Sequence, residues 1–516
     1  MIKHLFALAV ALAAPAAHAA DQSDWWFAES DHFRVYSAGG EDTAQELAMR
    51  LEMLDMAMRI YTGVALDQSG TTPEVAKPTL FQFGTNEDIA DLIGVDGVYG
   101  FFVPRAGNSV AFMPLETKDS RRRGGTPGTR HYTDFNTNNI DPLAVIQHEY
   151  THYFMFQHAP AAYPAWYQEG LAEVFGMLRI EDNRFFVGDP PPHRMNEIAV
   201  FKVDAEEMFR PVRNYVNYPH YGHGWLLTNY LAFEPSRSGQ LAAFLKALNS
   251  GTDSLVAARE AFGDLDQLSK ELNAYRKERS RGLAVPYPAD TQPVIKLRKL
   301  SADEIARMDL FVQSQAGVTK EEAARQLSDA NAILGQHPHS LPVLLEAAEV
   351  HTDAGQYQKG YDLYKEAVAK DPKSVAGNLG LARLELQFAE NDPSWLQTAR
   401  QSFLRVNEIE NEEPNALAGY YRTFVLAGVT PPEDAVIALE GAYIRAPFDE
   451  DIRKTLAYQL ITEKRDEEAL VVLGPILNTP HSNKQVRELR ELATKFSDGD
   501  RDPLIAKLKP SLSEDD

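Results

Sequence analysis

Five consecutive residues, His148-Glu149-Tyr150-Thr151-His152, carry the clearest chemical potential in the chain. In an H-E-x-x-H segment on a helix, the two histidines lie four apart on one face, where both imidazoles can reach one Zn²⁺. The intervening glutamate then sits beside the metal-bound water as its base. With 14 His and 74 acidic residues in 516, such a pattern arises by chance only about 0.05 times in a chain of this composition. The local sequence supplies the helix. Asp141 and Pro142 form a start signal, and LAVIQHEYTHYFMFQ follows with no helix breaker. Two imidazoles and a carboxylate on so apolar a helix require polar partners, because burying them unpaired costs several kcal/mol.

The third ligand should be a downstream carboxylate. Pro164 opens a second helix, on which Glu169 and Glu173 share a face four residues apart. One can ligate zinc, and the other can accept a hydrogen bond from the free nitrogen of a ligating histidine. Spacing alone does not choose between them. Past these helices, His220, Tyr221 and His223 in NYPHYGHGW are candidates to stabilise an oxyanion.

HEYTH followed by PAWYQEGLAEVF resembles the gluzincin metallopeptidases, the superfamily of thermolysin and aminopeptidase N. The resemblance implies that Glu169 is the third ligand and Glu173 its outer partner, although the interval from His152 to Glu169 is shorter than in those families. Residues 25–235 are also similar to the bacterial peptidase-MA-like domain often fused to tetratricopeptide repeats. The segments that carry this similarity are WWFAESDHFRVYS, KPTLFQFG, GVYGFFVP, HEYTH, WYQEGLAE and YGHGWLLTNYL. It implies an α+β thermolysin-like fold, one zinc per chain and peptide-bond hydrolysis, with Glu149 as general base. It also favours Tyr221 as the oxyanion stabiliser, because a Tyr is common before the Gly-x-Gly-Trp segment of those domains. No G-x-M-E-N motif of the aminopeptidase type is present, which tilts the expectation towards an endopeptidase.

Composition narrows the alternatives. The chain has no cysteine, so thiolate metal sites, disulfides and thiol catalysis are excluded, and a metal must be held by His, Asp or Glu. A formal net charge of −23 disfavours nucleic acid and anionic lipid as partners. Residues 1–19 read as a cleaved signal peptide: Lys3, an apolar run from Leu5 to Ala14, and an A-x-A site at Ala17-His18-Ala19. The expected location is therefore the periplasm, with secretion as second choice. No later run is long enough to span a membrane.

The elements expected to position the site alternate between strand and helix. Strands are expected at His32–Ser37, Lys77–Gly84 and Asn108–Glu116, with helices at Glu41–Thr62 and Thr85–Ile93. Asn108–Pro114 could be an edge strand that receives a peptide, though an ordinary sheet strand is the commoner reading. Residues 117–139, with Arg121, Arg122 and Arg123, read as a solvated loop. His131 and His158 read as ordinary polar residues.

The pattern then changes. The expected division is a peptidase domain over 20–285, a proline-containing linker over 286–300, an all-α tetratricopeptide solenoid over 301–500 and an acidic tail over 501–516. Prolines recur at Pro338, Pro372, Pro414, Pro447 and Pro480 as hairpin terminators, at intervals of 34, 42, 33 and 33 residues. Between them run pairs of amphipathic helices, and the long interval implies an insertion near Asn391–Ser394. Small residues such as Ala348 and Ala367 let paired helices approach. Such a solenoid binds peptides or partner proteins in its groove. The expected partners are thus a peptide or protein substrate and a protein held by the repeats. The rival expectation is a non-catalytic envelope scaffold with a vestigial peptidase domain. Activity retained after removing everything beyond about residue 300 would mark the repeats as a docking device.

Overall fold

The computed structural model describes residues 24–66, 73–117, 141–210, 220–278, 280–288, 292–479 and 483–512. The expected signal peptide, the 117–139 loop beyond Thr117, and Pro480 lie outside them. The described chain is mostly helical, with a small sheet region and helical repeat-like packing. No helix among the described residues is long and apolar enough to cross a membrane.

Among the described residues, the main sheet has six strands. β1 (Trp26–Glu29), β2 (Arg34–Ser37), β3 (Thr79–Gln82), β4 (Phe101–Val103) and β5 (Val110–Met113) are joined by a strand from far downstream, β9 (Lys296–Lys299), in the order β4-β5-β3-β2-β1-β9. Strands β2, β3 and β5 run parallel, which requires crossover connections. The first is α1 (Glu41–Thr62), with the limits that its apolar spacing predicts. The second contains α2 (Asn86–Ile93), closed at its start by a capping box between Thr85 and Asp88. Alternation along the strands sends Ala28, Val35, Leu80 and Ala111 into a core with α1. It sends Phe81, Val110 and Phe112 to the opposite face. Strand β5 lies between β4 and β3, so Asn108–Pro114 is interior and the edge is β4.

The helices α3 (Pro142–His158) and α4 (Ala165–Gly176) follow, then a small sheet of β6 (Arg179–Glu181), β7 (Arg184–Val187) and β8 (Leu283–Pro286). Between β7 and β8 lie α5 (Met195–Val200), α6 (Ala205–Phe209), α7 (His220–Phe233), α8 (Gln240–Asn249), α9 (Ser254–Phe262) and α10 (Leu265–Tyr275). The segment expected as a linker is partly built into the fold. Lys296–Lys299 forms β9, paired antiparallel with β1, because the unpaired edge of β1 offers backbone partners to a strand that can alternate Leu297 inward.

Among the described residues, six helical pairs follow: α11 (Ala302–Ala316) with α12 (Lys320–Gln336), α13 (Leu341–Asp353) with α14 (Tyr357–Lys370), and α15 (Val375–Phe388) with α16 (Trp395–Ile409). They continue with α17 (Pro414–Leu426) and α18 (Glu433–Arg445), α19 (Glu450–Thr462) and α20 (Asp466–Leu477), then α21 (Lys484–Ser497) and α22 (Asp502–Leu508). Ala348 and Ala367 are fully buried where α13 meets α14. Residues 389–394 form the longer turn expected at the insertion. Two expectations change. Pro414 is the first residue of α17, where its missing amide costs nothing, and does not end a hairpin. The acidic tail begins as a helix, since Leu504 and Leu508 of α22 bury into the last repeat core.

The first helix of the array caps the sheet. Met308, Phe311 and Val312 of α11 pack on Phe81 and Phe112. The array also touches the β4–β5 loop. Asn415 donates to the Ala106 carbonyl at 2.7 Å, Asp449 accepts from the Ala106 amide at 3.2 Å, and Asn108 donates to Gln315 at 2.6 Å.

A titratable pair joins the sheet to α1. His32 Nδ1 lies 2.7 Å from Glu52 and 3.7 Å from Asp55. Burial opposes its charge, but the hydrogen bond to Glu52 and the two carboxylates outweigh burial and raise the imidazole to about 9. A folded-state pKa above the unfolded value of about 6.5 gives stability that is complete below pH ~6.5 and lost as the pH rises through about 9. The melting temperature should therefore fall further between pH 6 and pH 9.5 in the wild type than in His32→Gln. Parallel falls in the two proteins would contradict this assignment.

Candidate metal centre

Helix α3 is held so that one face looks into a cleft. Asp141 accepts a hydrogen bond from the Leu143 amide at 2.9 Å and Pro142 occupies the first turn. On the side facing α1, the Tyr150 hydroxyl donates to Asp55 at 2.8 Å, and Asp55 in turn pairs with Arg59 at 2.5 Å. Tyr150 is buried, which pushes its pKa well up and keeps it a donor. The opposite side presents His148, Glu149 and His152 to a cavity of about 440 Å³.

Helix α4 is buried along its whole length. Its crossing with α7 depends on two glycines. A Cβ on Gly170 would stand 2.3 Å from both the Gly224 carbonyl oxygen and Thr228 Oγ1, and one on Gly224 would stand 2.5 Å from the Trp166 carbonyl. This close approach brings Tyr221 of α7 to the cavity occupied by Glu169 of α4. Gly170→Ala should cost about 1–3 kcal/mol of stability through overpacking. Gly335→Ala, where a Cβ meets nothing within 4 Å, is the control, and calorimetry on both variants measures the difference. An unchanged melting temperature for Gly170→Ala would contradict the packing argument.

The three side chains converge. His148 Nε2 lies 3.3 Å from His152 Nε2 and 3.3 Å from Glu169 Oε2, and His152 Nε2 lies 3.6 Å from the same oxygen. Glu169 is 1% exposed. Bonds of about 2.0–2.1 Å to a tetrahedral cation imply edges of about 3.3–3.4 Å between ligand atoms. Two imidazole nitrogens and a buried carboxylate oxygen at these separations are a donor set that fits zinc. Among the described residues, His148, His152 and Glu169 form the one His/Asp/Glu group with this geometry.

Glu173 occupies a different place. Its Oε1 accepts from Arg194 Nε at 2.8 Å, its Oε2 meets His193 Nε2 at 3.1 Å, and the other ring nitrogen of His148, Nδ1, lies 3.8 Å away. The geometry therefore separates the two glutamates that spacing alone left open: Glu169 faces both Nε2 atoms, and Glu173 stands behind His148. Burial opposes the charge of Glu173, but the His193 hydrogen bond and the cations around it hold its pKa down at about 2. Burial likewise opposes a charged His148, while Glu169, Glu173 and Glu149 outweigh it and lift the imidazole to about 9.

Of the oxyanion candidates, Tyr221 lines the cavity, with its ring centroid 6.1 Å from that of His148 and the Arg194 guanidinium 4.1 Å over its face. Burial and the neighbouring carboxylates push its pKa up, so the phenol keeps its proton. His223 is buried away from the cavity lining, and burial lowers its pKa to about 4. The His220 side chain lies outside the described set.

Sequence reasoning missed His193 and Arg194, which stand in a PPPHRM segment matching no metal-site spacing. It also missed the contribution of the repeats. Tyr153 of α3 packs on Phe448 at 5.0 Å between ring centroids, and Gln168 of α4 donates to the Asn478 carbonyl at 3.4 Å.

No protein-family model matches the sequence, and no curated protein matches it significantly. Among solved structures, the chain is similar to a thermophilic tetratricopeptide-repeat protein of Thermus thermophilus. The two are 17% identical, and the alignment covers 38% of this chain and all of that one at a TM-score of 0.32.

Proposed function

We propose that this chain is an exported, zinc-dependent peptidase, with a thermolysin-like catalytic domain and a repeat array of the tetratricopeptide type. One observation carries the reading: His148 Nε2, His152 Nε2 and Glu169 Oε2 converge within 3.3–3.6 Å beside Glu149 in a cavity large enough for part of a peptide. His148, His152 and Glu169 would hold a zinc ion, which when bound would supply a water of lowered pKa and polarise the scissile carbonyl. Glu149 takes the proton of the attacking water and delivers it to the departing amine. Tyr221, protonated and steadied by Arg194 over its ring, donates a hydrogen bond to the developing oxyanion. Glu173 orients His148 from behind, itself fixed by His193 and Arg194. The edge strand β4 brings Phe102 to the cavity wall, a position suited to an extended peptide and to endopeptidase action.

A second reading, a non-catalytic scaffold, draws on the stacked helical pairs, since such arrays hold protein partners. The contacts of Asn415, Asp449 and Gln315 with the β4–β5 loop favour a different role, in which the array braces the cleft of its own chain.

The direct test is hydrolysis of a quenched fluorescent peptide library by the chain lacking residues 1–19. Cleavage should occur with zinc, stop with 1,10-phenanthroline and return when zinc is restored. A zinc-loaded protein that cleaves nothing across the library would favour the scaffold.

A further inference from the structure

The repeats form part of the cavity itself. Phe448 just ahead of α19, Glu450 and Arg453 within it, and Pro475 and Ile476 near the end of α20 border the space that holds His148 and Glu149. Phe448 packs against both the core around α3 and the core of the last repeats, and it remains half-buried. Its ring meets that of Tyr153 at 5.0 Å between centroids, and Tyr153 in turn meets Phe102 of β4 at 5.4 Å. Three rings from three separate elements therefore form one continuous aromatic wall.

Helical spacing fixes where this wall lies. Val145, Glu149 and Tyr153 are four apart along α3 and share one stripe of its surface, and His148, His152 and Phe156 make the adjoining stripe. All six line the cavity, so the wall begins one helical turn from Glu149. The Tyr153 hydroxyl is already satisfied: it donates to the Ala76 carbonyl at 3.2 Å, and burial pushes its pKa up so that the proton stays. What Tyr153 offers the cavity is ring, and the half-buried Phe102 and Phe448 keep accessible ring surface beside it. Apolar surface of this kind gains by exchanging water for an apolar group. Ring faces and edges add a directional preference for another ring.

We propose that Phe102, Tyr153 and Phe448 form a side-chain subsite that selects peptides with an aromatic residue beside the scissile bond, Phe448 being the determinant that the repeat array supplies. This rests on the peptidase reading of the same cavity. The occupant follows from position: a peptide whose carbonyl lies at His148, His152 and Glu149 places a neighbouring side chain within one helical turn, where the three rings stand. The substrate class of the cleft is then set jointly by the edge strand, the zinc-binding helix and the repeats, rather than by the catalytic domain alone.

The test uses the zinc-loaded chain lacking residues 1–19 and carrying Glu149→Gln, which keeps bound peptide intact. Three fluorescein-labelled, C-terminally amidated peptide pools of Gly, Ala and Ser carry one central Phe, Leu or Ala. Anisotropy should rank them Phe, Leu, Ala, with the Phe pool binding at least about tenfold more tightly than the Ala pool, as burial of a large apolar side chain implies. Phe448→Ala should lower the Phe-to-Ala ratio at least about threefold while the Ala pool binds as before, and Phe448→Leu should restore part of it. Phe102→Ala, which leaves the contact between Phe448 and the repeat core intact, should lower the ratio as well. No binding of any pool, equal binding of the three, Leu at or above Phe, or a ratio unchanged in both alanine variants overturns the inference. So does equal weakening of all pools, which marks a purely structural role. The peptidase reading is judged separately, by mass spectrometry of the same pools after incubation with zinc-loaded protein that retains Glu149. Selective binding of the Phe pool without cleavage defeats the catalytic claim and leaves the recognition claim standing, whereas cleavage indifferent to the Phe does the reverse.

Discussion

Glu149→Gln is expected to leave zinc binding intact and to lower peptide hydrolysis by about 10²–10⁴, the range over which a positioned general base contributes. The amide keeps the shape of the carboxylate but cannot take a proton. Glu149 belongs to none of the three ligand contacts formed by His148, His152 and Glu169, so the metal has no reason to leave with it. The measurement pairs initial rates on a cleaved reporter peptide with metal analysis of the same sample. A variant that hydrolyses at the wild-type rate would refute the assigned base, whatever its metal content. One that loses zinc would mean that Glu149 is a ligand.

The second large effect separates the two buried glutamates. Glu169→Ala removes one of three ligand atoms and should abolish stoichiometric zinc binding and, with it, activity. Glu173→Gln preserves volume while weakening the contacts to His193, Arg194 and His148 Nδ1, so zinc should remain with affinity reduced about 10–100-fold. Zinc affinity by competition with a chromophoric chelator reads both. Stoichiometric zinc in Glu169→Ala, with loss in Glu173→Gln, would exchange the two roles.

The catalytic candidates were legible because they are local. H-E-x-x-H and E-x-x-x-E depend only on helical periodicity, which turns a spacing of four into a shared face. The limits of α1 and the cap of α2 follow from apolar spacing and from Thr85 with Asp88 for the same reason. Spacing left Glu169 and Glu173 open because both satisfy the same rule. Only the rotation of α4 against α3, set by the Gly170–Gly224 crossing, brings one to the imidazole Nε2 atoms and leaves the other behind.

What the sequence hid is long-range. Nothing local in Lys296–Lys299 shows that it closes the sheet beside β1, and nothing in α19 shows that Arg453 lines a cavity with His148. Domain boundaries drawn from periodicity consequently cut through packed surfaces. Truncation near residue 300 would strip α11 from Phe81 and Phe112 and take away the repeat wall of the cleft. Loss of activity in such a truncation is therefore expected, and it would not distinguish a docking role from a structural one.

The central claim is that His148, His152 and Glu169 hold a metal. Elemental analysis of the purified chain lacking residues 1–19, stripped and then refilled with zinc, tests it most directly. The account predicts about one zinc per chain in the wild type and none in His148→Ala or Glu169→Ala. A refilled, folded wild-type protein without zinc would contradict it.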